Sequence, residues 1–483
     1  MTFPEVSSSA PDSSHDDGPT DVPDGTGSVR LSDTGSVPAL PALTFDQPRN
    51  RRGRRLAESG RRNQRTMLWI GGPAAAAVLA LLVLMMTGHL WNPVTALRSL
   101  ASGSSAATGP AVIGDATASS PGPDPVIGSA ASEAGFDPST LGPGQYIDCT
   151  GGDDGGDGSG AHPWRSLAPL QDHGLTGGKT TYIKRGCSFS GQVTLHATGT
   201  GPGAVATLAS LGNGDLPVIQ APDIDRRHGA LIIASPYVTV RGIHVSHAAG
   251  PGIEVTAPNA TVDSVEIDDV GFGMTIKGAF TTVSNSRIHD LHMYNNTQGG
   301  NDDSGAIGFD IEADDVTVTH TSCIHCRAES YDYGHDGGFA DIFDAGNRVK
   351  LISNTGDDID GFLELGSAHG GSANDVLVQG NYITHSYGGF VVHSGDTFSI
   401  DVNNLQIVGN TIINVDAEKE MFYGNLSSIV LRDNSLVSSG AISHNSGTPR
   451  QHTGNKYYVG SAGRIGWSTT STEKVAALNA YKG

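Results

Sequence analysis

An irregular repeat constrains this chain more than any other feature. From residue 238 a short β-branched strand returns at steps of 21 to 35 residues, its last apolar residue being Val240, Val262, Val283, Val318, Leu351, Val378, Ile407 and Leu431. Asparagine stands three positions after four of these anchors, at Asn354, Asn381, Asn410 and Asn434. Five positions after most of them comes another apolar residue: Val245, Ile267, Ile288, Cys323, Ile383, Ile412 and Leu436. A second short strand, glycine followed by apolar-x-apolar, accompanies most repeats: GIEV from Gly252, GMTI from Gly273, GFDI from Gly308, GFAD from Gly338, GFLE from Gly361 and GFVV from Gly389. Strands this short, separated by Gly, Asn and Asp turns, cannot form separate domains. They must stack, each coil burying its apolar side chains against the coils above and below, about 4.8 Å apart. The asparagines are then either a hydrogen-bonded ladder along the axis or ordinary turn residues. A β-propeller would need roughly 40 residues or more per blade, and the observed spacing is too short.

Composition agrees with a turn-rich, all-β domain. With 66 Gly and 24 Pro in 483 residues a long helical architecture is excluded, and the lack of a Gly-X-Y period excludes collagen. The formal charge of -21 excludes a protein that grips nucleic acid through its phosphates.

The rest of the chain is organised around one apolar segment. Residues 1–66 read as a disordered tail ending in a basic block, in which Arg49, Arg51, Arg52, Arg54, Arg55, Arg61, Arg62 and Arg65 fall within seventeen residues. Residues 67–91 contain no charged side chain and are long enough to span about 30 Å of hydrocarbon as a helix. The basic block precedes the span, so the expected topology is a type II signal anchor with the C-terminal domain outside a membrane, suited to a bacterial envelope; a cleaved signal peptide is the alternative. Residues 92–144 read as an Ala/Ser/Gly/Pro linker, 145–460 as the coiled domain and 461–483 as a cap or tail. From Ser99 onward 19 Lys+Arg face 41 Asp+Glu, so the exported part is strongly acidic. All four cysteines lie there, and disulfides Cys149–Cys187 and Cys323–Cys326 are expected, with a redox or zinc role for the C-I-H-C segment as the alternative.

On its repeat signature, and on the opening segment YIDCTGGDDGGDGSGAHPWRSLAPL with Pro163-Trp164, residues 145–460 resemble the right-handed parallel β-helix proteins of the pectate-lyase-like superfamily. That resemblance implies the fold and a carbohydrate partner. It leaves the activity open, because the superfamily contains lyases, hydrolases, epimerases and binding modules.

The densest group of candidate site residues lies between 329 and 366. If GFADIF and GFLELG are equivalent strands of adjacent coils, Ala340, Ile342, Leu363 and Leu365 point inward and Asp341 and Glu364 outward together, their backbones about 5 Å apart. Two carboxylates that close cannot both ionise freely, so they can divide into an acid and a base, as glycoside hydrolysis requires. His393, one coil later, is the third catalytic candidate, and Asp336, Asp358, Asp360, Tyr333 and His325 are candidate substrate contacts. A second outward column is expected seven positions after each anchor, at His247, Asp269, Asp290, His325, Asp358, His385 and Asn414. Asp357, Asp358 and Asp344 are candidate ligands for Ca²⁺, which a pectate-lyase mechanism would need together with a base. Lys277, Arg287, Arg348 and Lys350 are the basic residues nearby, and none sits in a recognisable motif. The acidic exported part would also repel polyuronates. The reading is therefore a membrane-anchored, extracytoplasmic polysaccharide hydrolase acting on a cell-envelope or other glycan, with a calcium-dependent lyase or a non-catalytic glycan-binding module as alternatives.

Overall fold

A computed structural model describes residues 144–482 except 300–301, 415–418, 445 and 462. The tail, the apolar segment 67–91 and all but the last residue of the linker lie outside the described residues. Among the described residues no helix is long and apolar enough to cross a membrane.

The described chain is a parallel β-helix, each coil contributing strands to three stacks. The first stack has twelve strands, running from Gln145–Ile147 to Gln451–Thr453. All eight anchors lie in register within it, Val240 beside Val262 and so on to Ile407 beside Leu431. The apolar residues five positions later form the second stack, Val245 beside Ile267, Ile288, Cys323, then Gly356, Ile383, Ile412 and Leu436. The glycine-led strands form the third. Strands His244–Val255 and Glu266–Ile276 run through both the second and third stacks, bending at an irregularity between Ala248 and Pro251. The anchors and their partners meet in a narrow core, where Phe309, Phe339, Phe362, Phe390 and Phe422 stack with ring centroids 5.0–5.7 Å apart.

The turn between the first and second stacks holds a true ladder. The Asn381 side chain donates to Asn410 Oδ1 and accepts from the Asn354 amide, each at 2.9 Å, and also donates to Leu351 O at 2.9 Å. Asn455 is a fifth rung, accepting from Asn434 at 3.0 Å. It escapes the sequence signature because His452, not an apolar residue, stands at its anchor position. In the other direction Thr321 and Ser286 occupy the same position, and the Thr321 amide donates to Asn354 Oδ1 at 3.1 Å.

The column seven positions after the anchors marks the bend from second to third stack. His247, Asp269, Asp290, His325, Asp358 and His385 all have φ between 45° and 54°. This is the left-handed region that Asp, Asn and His tolerate better than other side chains. Asn414 departs from the expected outward column, being fully buried.

At the N-terminal end Trp164 is buried and the short helix Ala168–His173 seals the first coil with Leu170. At the other end stacking continues past residue 460, since Lys474–Ala477 pairs with Lys456–Val459. Cys149 is bonded to Cys187 and Cys323 to Cys326, with Cα atoms 5.7 and 5.9 Å apart.

Candidate active site

Strand alternation sends one residue of each third-stack strand inward and the next outward. The column directed away from the core runs Glu254, Thr275, Asp310, Asp341, Glu364, Val391, Tyr423, of which Glu254, Thr275 and Asp341 are covered by their neighbours and buried. Asp341 and Glu364 are direct register partners, with Ala340, Ile342, Leu363 and Leu365 in the core beneath them. Asp310 belongs beside Asp341 but is hidden when the strands are aligned by their glycines. Gly308 lies two residues before Asp310, whereas Gly338 lies three before Asp341, because the real register sets Ile307 against Gly338 and Phe309 against Ala340.

His393 joins this column from the next coil. Its Nε2 lies 3.0 Å from Glu364 Oε1 and its Nδ1 2.8 Å from Asp396 Oδ2. Burial works against the imidazolium, but the hydrogen bonds and charges of Glu364 and Asp396 outweigh it and push the His393 pKa up to about 9. Toward the N-terminal end, Lys277 pairs with Glu254 at 3.2 Å. Burial disfavours the Lys277 ammonium, yet Glu312 and Glu254 hold its pKa above the ordinary value. Glu312, two residues after Asp310, is pushed up to about 7 by burial and by the Asp310 charge, against the opposing effect of Lys277. Asp310, Glu312 and Asp396 are site residues that the sequence reading omits. Asp396 carried only a weak signal, its spacing of three from His393.

Two segments flank the column. On the entering side the antiparallel hairpin formed by Ser322–Ser330 and Gly334–Phe343 places Asp336 opposite Ala328, with Tyr333 in its turn. On the leaving side Ser372–Asn374 pairs with Asp401–Asn403. Burial opposes the Lys419 ammonium, but Asp360 above all, then Asp336 and Glu364, raise its pKa.

Asp360 is not an open substrate contact. Like Asp341 it is buried, but its carboxylate is already ion-paired to Arg327 at 3.5 Å and hydrogen-bonded to Lys419, while Arg327 stacks over the Tyr387 ring at 3.4 Å. The structure also does not gather Asp344, Asp357 and Asp358 at one point. Asp344 accepts from Ser367 Oγ, the Ala368 amide and His369, so it shapes the loop after its strand. Asp357 turns to Thr384 and His385, at 2.6 and 2.7 Å, on the second stack. His325 pairs with Asp290 at 2.8 Å instead of joining Asp341. Among the described residues the side chains close enough to share a metal ion are Asp302, Asp303 and Asp332, besides a group made of Asp148 and the disulfide sulfurs of Cys149 and Cys187. Asp303 already accepts from the Thr297 and Asp332 amides and from Ser330 Oγ.

No family model matches the chain, and no curated protein matches it. Solved structures similar to it include pectate lyase Pel9A, at 15% identity and a TM-score of 0.42, over 71% of this chain and 81% of that one. Another is the GH136 lacto-N-biosidase from Eubacterium ramulus, at 12% identity and 0.41, over 69% and 66%. A third is the endo-xylogalacturonan hydrolase from Aspergillus tubingensis, at 15% identity and 0.41, over 70% and 94%.

Proposed function

We propose that this protein hydrolyses a glycan on the outward face of its third stack, with Glu364 as nucleophile and Asp341 as acid and base. The observation that carries the reading is the direct register of Asp341 and Glu364 on adjacent coils, with His393 hydrogen-bonded to Glu364. Neighbouring strands lie about 4.8 Å apart, which suits the separation of about 5 Å between the carboxyl groups of a retaining pair. Glu364 attacks the anomeric carbon; the glycosidic C–O bond breaks with its electron pair on the leaving oxygen, which takes the proton from Asp341. Water, deprotonated by Asp341, then releases the sugar from Glu364.

The lyase alternative needs an unprotonated base beside a uronic carboxylate. Lys277 is a poor candidate, because Glu312 and Glu254 keep it an ammonium. The acidic surroundings also disfavour a polyuronate. The apolar segment 67–91 with its basic flank would tether this activity outside a membrane.

Assaying xylan, galactan, polygalacturonate and alginate for new reducing ends and for the ultraviolet absorbance of unsaturated uronides tests the reading. Hydrolysis should give reducing ends without that absorbance, with the anomeric configuration retained. Asp341→Asn and Glu364→Gln should each lower the rate by about a hundredfold or more. Unsaturated product, or wild-type rates in both variants, would overturn the assignment.

A further inference from the structure

We propose that Asp396 is a positioning residue for this reaction, fixing through His393 the orientation and the ionised state of the Glu364 carboxylate. The proposal rests on the reading of Glu364 as nucleophile. Its basis is the geometry of the imidazole. Both ring nitrogens face carboxylate oxygens, Nδ1 to Asp396 at 2.8 Å and Nε2 to Glu364 at 3.0 Å. A neutral imidazole carries one N–H, so either neutral tautomer would set a bare nitrogen against an oxygen that can only accept. With both carboxylates ionised, the doubly protonated ring satisfies both contacts, and its raised pKa agrees with this.

The assembly around the ring is built for one orientation. The His393 amide donates to Leu365 O at 3.0 Å, and Phe398 meets the ring edge-on with centroids 5.8 Å apart. Asp396 is itself held: its Oδ1 accepts from the Phe398 amide at 2.9 Å and its amide donates to Ser399 Oγ at 3.0 Å. The His393 side chain is only 10% exposed, so solvent does little to screen these charges. The charged groups facing the ring are Glu364 from its strand and Asp396 from the following turn. Those acting on Glu364 in turn are Asp341, its register partner, and Lys419, itself bonded to Asp360 and under the charge of Asp336.

Asp396→Asn keeps an acceptor for the Phe398 amide and removes the charge, whereas Ser399→Ala loosens the same turn and leaves the charge. The His393 Cε1 resonance, assigned by its loss in His393→Ala, is titrated in the wild type and both variants of the full chain. The expected midpoint lies near 9 in the wild type, falls by about one unit or more in Asp396→Asn and does not move in Ser399→Ala. On the panel glycan that is cleaved, kcat should fall in Asp396→Asn with KM little changed, and Asp396→Glu should recover part of it. An unmoved titration in Asp396→Asn overturns the link between Asp396 and His393. A shifted titration with a wild-type kcat overturns the role in the reaction while leaving the hydrolase reading standing. If the wild type cleaves no panel glycan, the reading of the site falls, and the positioning role falls with it, whatever the titration shows.

Discussion

The end of the asparagine ladder offers a sharp test of how the coil is held shut. The last rung, Asn455, donates to Glu473 Oε1 at 2.8 Å, and the same carboxylate accepts from Tyr457 Oη at 2.7 Å, His452 Nδ1 at 2.8 Å and the Thr470 amide at 2.8 Å. The Glu473 side chain has no exposed surface. Burial alone would raise its pKa, but the hydrogen bonds from Asn455, Thr470, Tyr457 and His452 bring it down to about 2 from the ordinary 4.5. At about 1.4 kcal/mol per unit, a depression of this size is worth roughly 3 kcal/mol to the folded state. Because the folded value lies below the unfolded one, that stability is present above pH 4.5 and is lost as pH falls toward 2. Glu473→Ala also strands buried donors, so at pH 7 its cost should be about 3–5 kcal/mol. In a thermal melt this is a fall in Tm of roughly 5 °C or more for a domain of this size. Glu473→Gln should lose less at pH 7, and its deficit should shrink as the wild type is acidified. Melting Glu473→Gln and the wild type across pH 2 to 7 reads both effects. A deficit that stays constant with pH, or no deficit at all, would refute the idea that an ionised carboxylate closes the ladder.

Two further expectations concern buried polar groups. Asn381→Ala removes the contacts to Asn354, Leu351 and Asn410 from the middle of the ladder and should cost about 3 kcal/mol or more in denaturant unfolding. Asn381→Ser should cost less, as Ser286 and Thr321 fill equivalent rungs in the native coil. Asp360→Asn leaves Arg327 and Lys419 without their shared carboxylate; Lys419 can turn to water, so the cost should be about 3 kcal/mol, read in the same assay.

The stacking was legible because strand alternation and the anchor spacing act locally. Every anchor is a β-branched or leucine-type residue that must face the core, and the observed register buries all eight. The Asp341–Glu364 pair was legible for the same reason, since its two strands share one glycine-led pattern. Asp310 was not, because glycine marks the bend of each coil and not the register of its strand. Asp360 illustrates a different failure. Its position near the acids says nothing about Arg327 and Lys419, which come from 33 residues before and 59 residues after it and neutralise it only once the coils are stacked.

The sequence by itself determined that the chain must coil, which residues fill the core, that asparagines would line one turn, and that two carboxylates would share a face. These follow from periodicity and from the cost of leaving apolar side chains in water. Tertiary structure alone decided which charges are open and which are paired. It set His393 between Glu364 and Asp396, turned Asp344 and Asp357 into loop and sheet contacts, and closed the ladder on Glu473. Electrostatic partners are chosen across coils, by loops of unequal length, and no local pattern records that choice.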